Sequence, residues 1–424
     1  MLILSSTQAA ARSKAYTPVQ NNEFIPDYIA LLGDSISERA SNIFYNGADI
    51  EDIYYENESW LEYMNHALYQ RFLFSFDYNL GIGGDRTQDI ISRMGDLAAL
   101  DPAPRYVSVL AGTNDISNQV SPEIITTHLR TIYDYITGTI GARVIALPIL
   151  PRSYFNNFSA AEITQAKADI MSVNTWIAEQ AGRDIITAPL IYSLFQGSIE
   201  NEPDPNYVTD GLHPSSEGAK IIGQELARIL TPHAGSFKNG QWAEGSNLIS
   251  NEYFSGTNGT LDNFSSGEIA NDMRAIDRGD DGSANYRHYS KTPEGYQRIQ
   301  IQAPAGSGVI GTYFRMLQQP LEAGARYYAE LEIDSIRSDG LYMCSLILLD
   351  KSTENGVRSY VSLDKQGTRA QCTFGKGVLR TPICTITSSS DPDHQVYIQI
   401  EGDSSAGDID ADIILKQVRL IKLS

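Results

Sequence analysis

The sequence predicts two fold classes in succession: an α/β domain whose parallel sheet lies between helical layers, then an all-β sandwich. Three observations carry this. Up to about residue 230, short apolar runs alternate with segments of helical periodicity. A polar, Gly-containing stretch, "TPHAGSFKNGQWAEGSN" (231–247), interrupts that rhythm. Beyond it, apolar and polar residues alternate one for one, with Gly- and Ser-rich turns and no clear helix. There is no internal repeat.

In the first half, "YIALLG" (28–33), "FDYNLGI" (76–82), "YVSVLAG" (106–112), "RVIALPIL" (143–150) and "DIITAPL" (184–190) read as strands buried on both faces. Helix starts lie between them. Ser59 and Glu62 have the spacing of a capping box, followed by Met64, Ala67, Leu68 and Phe72 on one face. Ser121-Pro122 supplies an N-cap and an N1 proline for the helix carrying Ile124, Ile125 and Leu129. A last helix runs through "EGAKIIGQELARIL". Repeated βα units imply helices on both faces of the sheet, with sites gathered at the carboxyl ends of the strands. In the second half, "ARYYAELEI" (325–333) sets Tyr327, Ala329, Leu331 and Ile333 against Arg326, Tyr328, Glu330 and Glu332, and "QRIQIQA" and "VYIQIEG" alternate likewise. The expected organisation is an arm (1–25), an α/β domain (26–235), a linker (236–246) and a β-sandwich (247–424).

Composition bounds the function. The chain has 424 residues, 42% hydrophobic and 20% charged, which fits folded domains rather than disorder. A formal net charge of −20 argues against nucleic acid and anionic membrane surfaces as partners. The start "MLILSSTQAAARSK" has a four-residue apolar run and no basic segment before it, so neither a signal peptide nor a membrane span is expected. The three cysteines, Cys344, Cys372 and Cys384, match no zinc spacing, and Cys344 in "YMCSLILLD" reads as a buried inert thiol.

The tripeptide Gly-Asp-Ser occurs at 33–35 and again at 402–404. All three residues are turn formers, so the tripeptide alone says little. Ser35 directly follows an apolar strand, whereas Ser404 follows a strand of the β-rich half with no helical pattern after it. A serine nucleophile needs a base, an orienter for that base and donors for an oxyanion. Three more strand ends of the first half carry such groups: "NLGIGGDRTQ" (79–88), "GTND" (112–115) and "DGLHPS" (210–215). Asp210 and His213, three residues apart, can meet across one turn. A dinucleotide reading of Gly81, Gly83 and Gly84 fails because Arg86 stands where G-x-G-x-x-G needs its last glycine.

Taken in order, these four blocks resemble the GDSL, or SGNH, family of serine esterases over about residues 28–230. "GIGGDRTQ" is similar to the matching segment of platelet-activating-factor acetylhydrolase catalytic subunits, and Ile36 stands where the family motif has Leu. The resemblance implies a flavodoxin-like three-layer α/β/α domain with Ser35, Asp210 and His213 catalytic. It implies an oxyanion hole from the N–H groups of Ser35 and Gly84 and the Asn114 amide, and it implies no metal or cofactor. The β-rich half weakly resembles carbohydrate-binding jelly rolls, through "NLISNEYF" and "DADIILKQVRL"; an assembly role is the equal alternative.

The leading expectation is therefore an esterase that removes O-acetyl groups from a carbohydrate or polysaccharide. One alternative is a lipid or small-ester hydrolase. Another is a structural or receptor-binding protein of a phage tail, which would be a homotrimer; localisation is then extracellular as a virion component, or else cytoplasmic. The acidic, tyrosine-rich segment "FYNGADIEDIYYENE" (44–58) either lines the substrate crevice or is a plain surface excursion, with Tyr54, Tyr55 and Tyr207 available to stack on sugar rings. His66, His128, His233, His288 and His394 are assigned no chemistry. The cluster "DRGDDGS" (277–283) lacks calcium-loop spacing and reads as a solvated turn.

Overall fold

The computed structural model describes residues 27–40, 42–46, 49–55, 59–233, 247–262, 264–279, 285–317, 320–350, 357–362, 377–386 and 395–423. The arm, the linker, His394, Cys372 and most of the 277–283 cluster lie outside these residues.

The first half contains β1 (Asp27–Gly33), α1 (Ser35–Glu38), β2 (Asn42–Asn46), β3 (Asp49–Tyr55), α2 (Trp60–Ala67), β4 (Phe72–Leu73) and β5 (Asn79–Gly81). It continues through α3 (Thr87–Ser92), α4 (Met94–Ala98), β6 (Tyr106–Leu110), α5 (Thr113–Ser117), α6 (Pro122–Tyr135), β7 (Arg143–Ala146), α7 (Ala160–Glu179), β8 (Ile185–Thr187), α8 (Leu190–Phe195) and α9 (Ser216–Leu230). A parallel sheet runs β4-β1-β6-β7-β8, and β5 pairs with the carboxyl-terminal part of β1. Because β4 and β5 are two pieces of one edge, the order is the doubly wound 2-1-3-4-5. The direction of winding reverses at β1, so right-handed crossovers put α2 on one face and α6 and α7 on the other. Packing agrees: α2 and α8 lie against α9, while α3 and α7 lie against α6. Gly223 lets α9 approach α2, since a Cβ there would fall 2.5 Å from Tyr63 Cβ.

Ile29, Ala30, Leu31 and Leu32 are fully buried, as a strand covered on both faces requires. Each such Leu or Ile contributes about 1.5–3 kcal/mol by leaving water. The expected strand at 76–82 is shorter, because Phe76–Tyr78 form a 3-10 turn before β5. The expected capping box at α2 forms only in its first half. Ser59 Oγ accepts from the Glu62 N–H at 3.2 Å, while the Glu62 carboxylate is buried and accepts from Gln70 Nε2 at 2.9 Å.

The second half supplies β9 (Asn258–Leu261), β10 (Ser265–Gly267), β11 (Ile269–Gly279), β12 (Arg287–Lys291), β13 (Gln297–Ala303), β14 (Val309–Met316) and β15 (Arg326–Asp339). It ends with β16 (Leu341–Asp350), β17 (Val357–Ser362), β18 (Gly377–Arg380), β19 (Cys384–Thr385), β20 (Gln395–Asp403) and β21 (Ile409–Leu423). They form one sheet in the order β10-β12-β13-β21-β15-β18, with β19 on β15, and another in the order β2-β3-β17-β16-β20-β14-β11-β9. Two sheets of this kind are compatible with a β-sandwich and carry no mark specific to a jelly roll. Burial in β13 alternates as its sequence does.

Two findings depart from the sequence pattern. β2 and β3 pair antiparallel and extend the second sheet, with β3 parallel to β17 from Asp52↔Arg358 to Tyr55↔Val361. Their backbone hydrogen bonds are therefore spent on the β-rich half, and Tyr54 and Tyr55 sit on a strand of that sheet. The second departure concerns β15, whose expected polar face is partly buried. Tyr328 packs with Leu73, Ile383 and Ile421, and Glu330 receives Arg380. The α/β half covers that side, which a one-for-one pattern does not reveal.

Cys344 and Cys384 are buried free thiols, and burial pushes both up to about 12. Among the described residues no helix is long and apolar enough to cross a membrane.

Candidate active site

β1 ends at Gly33, where any Cβ would collide with the Leu110 carbonyl oxygen and with Ser37 Oγ. Asp34 then caps α1, its Oδ1 accepting from the Ile36 N–H at 3.0 Å. Ser35 is thereby the first residue of a helix that opens at the carboxyl edge of the sheet. Its Oγ lies 2.9 Å from His213 Nε2.

His213 arrives from the loop before α9. Thr209 N–H donates to His213 O at 2.9 Å and Ser215 N–H donates to Tyr207 O at 2.9 Å, closing a tight turn. Across it, His213 Nδ1 stands 2.7 Å from Asp210 Oδ2, and the His213 and Leu212 N–H groups donate to Asp210 Oδ1 at 2.8 and 3.0 Å. Partial burial alone would raise the Asp210 carboxyl. The two N–H donors and the imidazole outweigh it and hold the group at about 2. Asp210 is therefore an ionised acceptor that fixes which imidazole nitrogen carries hydrogen.

The β5–α3 loop runs beside Ser35. A Cβ at Gly83 would lie 3.7 Å from Ser35 Cβ, and Gly84 adopts φ +86° with open space around it. Asn114, on α5 after β6, donates one Nδ2 hydrogen to Asp85 O at 2.9 Å, leaving its other hydrogen available. Ser35, Gly84, Asn114, Asp210 and His213 all stand on loops or helix starts beyond the carboxyl ends of β1, β5, β6 and β8. The β1/β6 pair is where the winding reverses, the place such sheets use for ligands.

Supporting residues escaped the sequence reading. Arg93 donates to Asp85 Oδ2 (2.6 Å), Leu80 O (2.7 Å) and Gly33 O (3.0 Å), tying the Gly84 loop to the end of β1. Asp115 accepts from the Thr87 N–H (2.9 Å) and Thr87 Oγ1 (2.7 Å). Asp115 had a signal, being adjacent to Asn114; Arg93 had none, since Gly33 is remote in sequence. Asp34 is fully buried, and burial first, then the neighbouring Asp115 and Asp85 charges, push its carboxyl up to about 7 despite the Ile36 N–H.

Tyr207 is half-buried and packs against Phe195, ring centres 5.8 Å apart. Tyr154, on the segment touching Gly211, and Ile82, on the Gly84 loop, are exposed, as is Ile199 in the 196–210 segment that leads to His213. The second Gly-Asp-Ser differs completely: Ser404 is buried, and both its N–H and Oγ donate to Gly308 O, at 3.0 and 2.9 Å. Of the histidines left without chemistry, His66 reaches Val378 O, His128 meets Thr87 Oγ1, His233 meets Arg143 and His288 meets Ser266 Oγ.

Residues 31–221 match the GDSL-like Lipase/Acylhydrolase family. No curated protein matches the chain. Among solved structures, a GDSL-like lipase from Bacteroides thetaiotaomicron is 16% identical, with 49% of this chain and 89% of that one covered at a TM-score of 0.34. A family 3 carbohydrate esterase from Talaromyces cellulolyticus is 18% identical, covering 49% of this chain and 98% of that one, again at 0.34. An acetyl esterase mutant solved with acetate ion gives the same values. Over residues 31–221, then, the chain carries a GDSL-like lipase/acylhydrolase domain, of a family that hydrolyses esters.

Proposed function

We propose that this domain is a serine esterase acting through an acyl-enzyme, and that its substrates are O-acetyl esters of a carbohydrate or polysaccharide. The observation that carries the esterase reading is the continuous relay from Ser35 Oγ to His213 Nε2 (2.9 Å) and from His213 Nδ1 to Asp210 Oδ2 (2.7 Å). Ser35 Oγ attacks the ester carbonyl carbon while its proton passes to His213 Nε2. The carbonyl oxygen takes the negative charge and is held by the N–H groups of Ser35 and Gly84 and by Asn114 Nδ2. The Ser35 N–H has no intrahelical acceptor, because it opens α1. His213 returns the proton to the departing alcohol oxygen. Water, deprotonated by His213, then attacks the acyl carbon, the bond from that carbon to Ser35 Oγ breaks, and His213 returns the proton to Oγ as the acid leaves.

The acetyl preference rests on what borders the relay. The segment "QGSIENEPDPNYVTD" (196–210) leading to His213 is polar and acidic, and Tyr154 is an exposed ring beside Gly211. Each methylene of a longer acyl chain contributes about 0.8 kcal/mol only where an apolar wall receives it. Exposed Ile82 on the Gly84 loop favours the second reading, a lipid or small-ester hydrolase. Comparing kcat/KM for acetate, butyrate, octanoate and palmitate esters, beside acetate release from acetylated polysaccharides, separates the two. Acetate esters should be cleaved best; a profile rising with chain length would support the lipid reading.

A further inference from the structure

β7 leads into residues 147–152, and at the end of this segment the Arg152 side chain is 2% exposed. Its guanidinium reaches in two directions. Nη1 donates to Thr113 O (2.9 Å), Thr113 Oγ1 (3.1 Å) and Ser117 Oγ (2.8 Å), all on the helix that carries Asn114. Nε and Nη2 both donate to Tyr154 O, at 2.9 and 2.6 Å. The Tyr154 N–H and the Ser153 N–H in turn donate to Gly211 O at 3.2 and 2.9 Å, one residue after Asp210 and two before His213. Among the described residues no carboxylate forms an ion pair with Arg152. Burial, acting first, pulls its guanidinium below the ordinary value, while the charge of Asp34, next to Ser35, acts the other way.

A buried cation satisfied by neutral acceptors is a costly choice for packing alone. What a planar fork of five donors does supply is a fixed angle between two groups of acceptors, which neither Lys nor an apolar side chain reproduces. We infer that Arg152 is a positioning residue that sets the oxyanion-side Asn114 helix against the base-side Asp210–His213 turn. It touches no reacting atom. The inference builds on the esterase reading, since it assigns Arg152 to the same centre.

The test uses the full chain with Arg152→Met and Arg152→Lys, with Ser35→Ala alongside. Displacing catalytic groups by about 1 Å costs on the order of 10²-fold. Arg152→Met should therefore lower kcat by about that factor with KM changed less than about threefold, in protein whose active serine still titrates fully. Arg152→Lys should keep the fold and restore only part of kcat. The downfield proton resonance of His213 Nδ1–H, which reports the Asp210 bond without any turnover, should shift or broaden in Arg152→Met. If that variant does not fold, Thr113→Val/Ser117→Ala keeps the guanidinium, removes two of its acceptors, and should lower kcat by about tenfold at unchanged KM. Wild-type kcat together with an unshifted resonance, in either folded variant, would overturn the inference. Hydrolysis surviving in Ser35→Ala would overturn the esterase reading instead, and the resonance would still judge Arg152.

Discussion

Arg380 of the β-rich half donates from Nη1 to the backbone oxygen of Phe72 in the α/β half, at 2.8 Å, with both residues buried. The same guanidinium grips Glu330 from Nε at 2.6 Å. Around it, Gln70 Nε2 bridges Glu62 Oε1 and Val378 O at 2.9 and 2.7 Å, and His66 Nδ1 lies 3.3 Å from Val378 O. The two halves thus meet through a buried polar network as well as through the β3–β17 pairing.

This network predicts that Arg380→Met destabilises the whole chain by about 3–5 kcal/mol, because Glu330 is left buried without its partner. Urea unfolding of wild type and variant measures it. By the same logic, a fragment ending at Gly235 should be markedly less stable than the full chain, with Glu62 and Gln70 stripped of their cover. Equal unfolding midpoints for fragment and full chain would show that the halves are independent.

Much of the site was legible because its signals are local. Asp210 and His213 lie within one turn of each other, and Ser35, Gly84 and Asn114 each sit at the end of an apolar run. The supporting arginines were not legible, since Arg93 reaches Gly33 O and Arg152 reaches Thr113 O, both far away in sequence, and no short pattern encodes such a bond. The pairing of Asn42–Asn46 and Asp49–Tyr55 with the β-rich half was not legible for another reason. Local sequence can suggest a strand but does not say which sheet will accept its edge. Likewise, alternation in β15 identified the strand yet implied a solvated side where the other half packs.

Asp34 should make stability depend on pH. Its folded-state carboxyl is near 7 against an ordinary 3.8, so the folded state prefers the protonated acid. Below about pH 4 both states are protonated and nothing is lost. As pH rises toward 7 the unfolded state ionises first, and stability falls by on the order of a few kcal/mol, levelling off above that. Asp34→Asn, which can still accept the Ile36 N–H, should lack this decline. Unfolding free energies at pH 4.5 and 7.5 should therefore converge or cross between the two proteins; parallel profiles would contradict the account.

His213→Ala and Asn114→Ala should both act on kcat. A positioned base is worth about 10²–10⁴-fold, and one oxyanion donor about 10²–10³-fold, so His213 should cost at least as much. Steady-state kinetics on a soluble acetate ester decide this. An Asn114→Ala enzyme with raised KM and unchanged kcat would remove the amide from the oxyanion hole.

The two Gly-Asp-Ser serines offer the most direct measurement of the central claim. Ester hydrolysis should be compared in Ser35→Ala and Ser404→Ala, both checked for wild-type folding by circular dichroism. Ser35 faces His213, whereas Ser404 spends its hydroxyl on Gly308 O. Ser35→Ala should abolish turnover and covalent labelling by a fluorophosphonate, and Ser404→Ala should keep both near wild type. Turnover surviving in folded Ser35→Ala would contradict it.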